Sequence, residues 1–134
     1  MRFAFGAFLV AHGLVHGLYV AQSLRVFELQ PGMTWPDSGW AFSRLIGDPA
    51  VRLIAAALFA LLAAAFIVSG IALAFRQVWW QPVGLAAAAV STVALFLLWD
   101  GRLQALDTQG AYAILINAGI LLAVLGFHWP DVAR

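Results

Sequence analysis

The sequence has no cysteine and no lysine among its 134 residues. Without thiols, this chain cannot form a disulfide, a thiolate metal site or a thiol redox centre within itself. Charged residues are also scarce, at 10%, whereas 64% of the residues are hydrophobic. Soluble domains have roughly 25% charged and 45–50% apolar residues, because they need a polar surface. The net charge is only +1 and no basic cluster stands out, so we expect no nucleic-acid partner.

Four long apolar segments account for this composition. A membrane-spanning helix needs about 20 predominantly apolar residues, and the qualifying segments are 3–22, 53–75, 78–99 and 110–129. None contains Asp, Glu, Lys or Arg, as the cost of a charge within the bilayer requires. The sequence therefore predicts an all-α polytopic membrane protein, a four-transmembrane-helix bundle in which residues 1–134 form one domain.

The six tryptophans support these boundaries. All lie at segment ends or in the first loop, as expected of indoles at a membrane interface: Trp35, Trp40, Trp79, Trp80, Trp99 and Trp129. The first apolar run is longer than a signal-peptide core and no small-x-small cleavage site follows it, so we expect it to be retained as a span.

Residues 23–50 form the one long connection, which we expect to lie outside the membrane. Within it, Asp37 or Ser38 could start a short interfacial helix that Gly47 ends, placing Trp40 and its apolar neighbours on the membrane surface. The remaining connections are short, which predicts antiparallel neighbouring helices.

The arginines say little about orientation. An even number of spans places both termini on one side, and the arginines divide into Arg2, Arg76 and Arg134 on that side and Arg25, Arg44, Arg52 and Arg102 on the other. We expect cytoplasmic termini, because the three arginines of that side lie in very short segments. The abundance of Ala, Leu and Arg is typical of GC-rich bacterial genomes, so we expect a multi-pass protein of the bacterial inner membrane.

Two histidines interrupt the first apolar segment. His12 and His16 are four residues apart, so they differ by about 40° around a helix, and Tyr19 falls on the same stripe. A buried polar group without a partner costs a few kcal/mol, so these side chains should face the bundle interior. At 1.5 Å per residue, His16, Ser91 and Asn117 lie ~20, ~20 and ~18 Å from the terminal side. The sequence therefore predicts one polar layer that joins three helices.

Several roles are open for this layer. The first is a hydrogen-bonded clasp that sets helix register. The second is a pocket for a quinone or lipid, with His12, His16 and Tyr19 as the candidate cofactor-binding residues. Haem b is a third, although two histidines on one helix cannot be opposite axial ligands and His128 lies at the far end of the fourth segment. Histidines four apart suit zinc or copper, but no intramembrane carboxylate or third histidine completes a set, so we expect no metal site.

Small residues recur at helical spacing in every apolar segment, which favours close helix packing. The sets are Gly13 and Gly17; Ala56, Ala60 and Ala64; Gly84, Ala88 and Thr92; and Gly119 and Gly126. By contrast, the spans contain no carboxylate of the kind that ion pumps use. Three histidines are also too few for a membrane di-iron oxygenase. We assign no catalytic residue and favour a non-enzymatic role.

The motif His12-Gly13-Leu14-Val15-His16, a long first loop and three further spans resemble small bacterial four-helix membrane proteins with an HGLxH-type first helix. In layout the chain is similar to the DoxX-like group, and that resemblance implies quinone-linked oxidation or membership of other membrane complexes. The basic residue expected inside the first helix of that group is absent, so the resemblance assigns no site residue.

Three functions follow as expectations. The first is an accessory or scaffold subunit that contacts membrane lipids and either another membrane protein or further copies of itself. The alternatives are a redox-associated protein that binds quinone or haem at the histidine pair, and a small-solute transporter.

Overall fold

The computed structural model describes residues 1–103 and 106–130. Its helices are α1 (Arg2–Ser23), α2 (Ser43–Ile46), α3 (Asp48–Ala74), α4 (Trp80–Leu98) and α5 (Tyr112–Leu121). Single π-helical turns, Asp107–Ala111 and Leu122–Gly126, precede and follow α5. The described part of the chain contains no strand.

Four helical segments are long and apolar enough to cross a membrane: α1, α3, α4 and the continuous stretch Asp107–Gly126 that includes α5. The predicted all-α, four-helix membrane bundle is confirmed. The helix of the predicted segment 53–75 begins at Asp48, with Pro49 in the first turn, where its missing N–H costs nothing. The fourth span becomes a regular α-helix only at Tyr112, because Gly110 has a φ of +96°.

The interfacial helix of the first loop begins later than predicted, at Ser43 rather than at Asp37 or Ser38. Its end agrees with the prediction, because the last helical residue is Ile46 and Gly47 follows as the C-cap. The backbone N–H groups before Ser43 bond other parts of the chain instead of forming a helix. The N–H of Ser38 donates to the Asp48 carboxylate at 2.9 Å, and that of Trp40 donates to the carbonyl of Trp99, just after α4. Trp40 is still half exposed, so apolar surface lies outside the bundle here as expected.

Helices α1 and α3 pack closely over a long contact, because glycine allows their backbones to meet. A Cβ added to Gly6 would lie 2.7 Å from the carbonyl oxygen of Gly70, and one added to Gly13 would lie 2.8 Å from that of Ala63. Beside this contact, the fully buried rings of Phe59 and Phe66 fill the centre of the bundle. Close backbone contact through small residues is the usual way in which helices associate in lipid.

The other predicted small-residue faces are only partly correct. Gly17 and Gly119 face open space, and Ala60 and Ala64 are exposed. Residues four apart drift by about 40° per step around a helix. The buried face of α3 therefore alternates steps of three and four residues: Ala55, Phe59, Leu62, Phe66, Ser69 and Leu73.

Tryptophans of the first loop satisfy the carbonyl groups at the end of α4. The indole N–H of Trp35 donates to Leu98 at 3.0 Å, and that of Trp40 donates to Phe96 at 2.8 Å. The last carbonyls of a helix have no partner within it, so these bonds dock the loop onto the bundle. Trp35 is consequently buried, at 3% exposure, rather than lying at the interface. Trp80, at the start of α4, is also buried, at 2% exposure, and its ring packs edge-on against that of Phe5.

Candidate functional site

The structure brings the predicted polar residues together in the middle of the bundle. Nε2 of His16 lies 2.7 Å from Oγ of Ser91, and Nδ2 of Asn117 lies 2.9 Å from the same oxygen. His12 joins this layer, because its Nε2 lies 2.8 Å from Oδ1 of Asn117. All four side chains are buried, so α1, α4 and α5 are connected through groups that lipid and water do not reach.

The chemistry of the partners sets the direction of each hydrogen bond. A backbone carbonyl only accepts, so Nδ1 of His16 donates to the carbonyl of His12 at 3.0 Å. A charge here would be costly, so His16 is neutral and its Nε2 accepts from the Ser91 hydroxyl. Ser91 in turn accepts from the Asn117 amide, whose oxygen accepts from Nε2–H of His12. The bonds thus form a closed circuit that starts at the His12 ring and returns to the His12 backbone.

One ring nitrogen is left over. Nδ1 of His12 has no hydrogen-bond partner among the described residues, and its side chain is 3% exposed. Aromatic rings surround this imidazole: that of Phe66 lies edge-on at 4.7 Å, that of His16 at 4.8 Å, and that of Phe8 is parallel at 6.3 Å. His16 has no free nitrogen for a haem iron, so it could serve as a ligand only if the circuit opened.

Tyr19 lies on the stripe that the sequence predicts but outside the circuit. Its ring contacts those of His16, Trp35 and Phe59 at centroid distances of 5.7, 5.5 and 5.3 Å. Its hydroxyl has no hydrogen-bond partner within residues 1–103 and 106–130. Tyr19 therefore extends the imidazole pair as an aromatic column towards the first loop.

The sequence pattern did not single out Gln22, which is fully buried. Its amide donates to the carbonyl groups of Met33 and Trp35 at 3.1 and 2.9 Å, and its oxygen accepts from the N–H of Leu29 at 2.8 Å. Extending the stripe by three residues from Tyr19 would have reached it. Gln22 thus links the polar face of α1 to the loop that covers the bundle.

Among the described residues, no group of three His, Asp or Glu side chains could hold a metal ion. No protein family, curated protein or solved structure matches this chain. The resemblance to the DoxX-like group stays a prediction, and the geometry above is the basis for any functional argument.

Proposed function

We propose that this protein is a non-enzymatic accessory or scaffold subunit of a larger complex in the bacterial inner membrane. The observation that carries the proposal is the closed hydrogen-bond circuit. It uses the side chains of His16, Ser91 and Asn117 to hold the helices together, and it leaves one nitrogen of His12 without a bond. Apart from this nitrogen, the polar groups of the network bond one another, and such a network favours one arrangement of the helices.

A rigid bundle suits a subunit whose outer surface binds a partner. The outward face of α5 carries Tyr112 and Leu115, which are 65% and 68% exposed, next to Gly119, where the surface is open. In lipid, a glycine between large apolar residues allows a second helix to approach closely. This face supports a contact with another membrane protein or with a second copy of the chain.

Co-purification from native membranes in mild detergent tests the proposal. We expect a stoichiometric partner subunit or a homo-oligomer with the wild-type protein, and loss of that association in Gly119→Ile. The matched control is Ala60→Ile, which adds the same side chain to an exposed position of α3. Recovery of a lone monomer, or equal loss with both variants, would contradict the accessory role. A reporter fused to either terminus tests the proposed cytoplasmic orientation.

A quinone-binding role is the second candidate. The Tyr19 ring lies 5.7 Å from the His16 ring, and the Tyr19 hydroxyl bonds no described residue, which favours this role. A quinone carbonyl needs a hydrogen-bond donor, which a phenol supplies. Solvent extraction of the purified protein should then yield quinone, and Tyr19→Phe should yield less. An absorption spectrum checks the haem alternative through its Soret band. The transporter alternative also stays a prediction; a layer of buried, mutually bonded polar groups does not favour it.

A further inference from the structure

Two polar grooves adjoin at the loop end of the bundle and share Ser38, Asp100 and Arg102 as lining residues. Their volumes are about 320 and 660 Å³. The larger groove lies between the first loop and the residues that follow α4. Its chemistry is carried by Trp40, Ser43, Arg44, Asp48, Asp100 and Arg102.

This groove lies at the ends of two spans, where we expect them to leave the membrane. Helix α3 begins at Asp48 and helix α4 ends at Leu98, two residues before Asp100. Trp40, which lines the groove, is half exposed, and an exposed indole at a span end lies among lipid headgroups. The molecules that meet the groove at highest local concentration are therefore phospholipids.

The positive charges of the groove are unpaired. In the described part of the chain, both ion pairs involve Asp37, which bonds Arg25 at 2.6 Å and Arg52 at 2.9 Å. Arg44 and Arg102 are exposed, and neither pairs with a carboxylate of any described residue. A free guanidinium presents a planar set of donors that matches a phosphate.

The groove also contains negative charges. The Asp100 carboxylate accepts from the side-chain amide of Gln109 at 3.0 Å and from the backbone N–H of Arg102 at 2.8 Å. The Asp48 carboxylate accepts from the backbone N–H of Ser38. These donors are neutral, so they do not offset the negative charge of the two carboxylates, whose oxygens still have lone pairs to spare. The groove thus presents two cationic and two anionic side chains to one ligand.

We propose that this groove binds the phosphoethanolamine headgroup of a membrane lipid. Arg44 and Arg102 bind the phosphate, and Asp100, assisted by Asp48, accepts hydrogen bonds from the primary ammonium. A headgroup that has a phosphate but no ammonium group would place negative charge beside the two carboxylates and provide no cation to bind them. A choline headgroup has the right charges, but its quaternary nitrogen has no N–H to donate. The arrangement of charge therefore selects the primary ammonium.

Native mass spectrometry of the purified protein tests this selection. The protein is equilibrated in detergent with equal amounts of phosphatidylethanolamine, phosphatidylcholine and phosphatidylglycerol of one acyl composition. We expect phosphatidylethanolamine to be retained about tenfold more than either competitor, since charge-assisted hydrogen bonds are lost with each of them. Soluble phosphoethanolamine should displace it, which separates headgroup recognition from binding of the acyl chains. Failure of that displacement would overturn the proposal.

Substitutions then test which charged side chains bind the phosphate and the ammonium of the headgroup. Arg44→Gln with Arg102→Gln should lower retention of phosphatidylethanolamine about tenfold, whereas Arg76→Gln, an exposed arginine between α3 and α4 at the other end of the bundle, should leave it unchanged. Asp100→Asn should shift the preference towards phosphatidylglycerol, a ratio that can be read on correctly folded protein alone. Equal retention of the ethanolamine and choline lipids by the wild type, or an equal loss with Arg76→Gln, would overturn the proposal.

Discussion

Ser91 on α4 donates its hydroxyl proton to Nε2 of His16 on α1, across 2.7 Å of the bundle interior. The same oxygen accepts from Asn117 on α5 at 2.9 Å, so one serine connects three helices. A hydroxyl suits this position because it both donates and accepts. The polar layer consequently depends on a side chain that in sequence is an isolated serine in an alanine-rich helix.

Removal of this hydroxyl should destabilise the bundle. We expect Ser91→Ala to lower the free energy of unfolding by about 1 kcal/mol, because hydrogen bonds between membrane helices average ~0.6 and reach ~1.7 kcal/mol. The adjacent Thr92→Val is the matched control, since the Thr92 hydroxyl bonds the Ala88 carbonyl of its own helix and no other described residue. Unfolding in mixed micelles measures both variants. Equal effects would show that Ser91 does not connect the helices.

The closed circuit predicts two different histidine tautomers. His16 should carry its proton on Nδ1 and His12 on Nε2, because the His12 carbonyl and the Asn117 oxygen can only accept. Nitrogen-15 NMR of histidine-labelled protein distinguishes the two forms by chemical shift. Asn117→Leu should shift the His12 signals more than the His16 signals, since it removes the acceptor of the His12 Nε2–H. The same tautomer at both positions would contradict the circuit.

Gly6 and Gly17 lie on the same helix but should respond differently to an added methyl group. Gly6→Ala places a Cβ 2.7 Å from the Gly70 carbonyl oxygen and should destabilise the protein by about 1–3 kcal/mol through overpacking. At Gly17 nothing lies within 4 Å, so Gly17→Ala should be neutral or stabilise by up to about 1 kcal/mol through helix propensity. Thermal unfolding in detergent compares the two. Similar losses would show that α1 and α3 do not meet at Gly6.

Trp35 should control how the first loop is held. Trp35→Phe removes the indole N–H that reaches Leu98, and the buried carbonyl then loses its partner at a cost of about 1–3 kcal/mol. Hydrogen exchange of the amides of residues 24–42 should accelerate. Trp79→Phe is the control, because Trp79 is exposed and its indole bonds no described residue. An unchanged exchange rate in the loop would place its docking elsewhere.

Much of the candidate site could be predicted from spacing. The pair His12 and His16 shares a face because four residues make just over one helical turn, and matching depths pointed to Ser91 and Asn117. Spacing could not show that His12 rather than His16 bonds Asn117. The two histidines differ in depth by about one helical turn, which is within the uncertainty in where a predicted helix begins. Spacing also could not show Gln22 holding the loop, because that contact depends on how residues 29–35 fold back.

The sequence by itself determined the four spans and the membrane as their surroundings, since charge exclusion and apolar length act locally and follow from the energy of transfer into lipid. The tertiary structure decided which small residues pack, which tryptophans are buried and how the polar groups bond. Those outcomes depend on the rotation and crossing of whole helices. A contact such as Gly6 against Gly70 arises only when both surfaces meet, and no local pattern in either segment specifies that meeting.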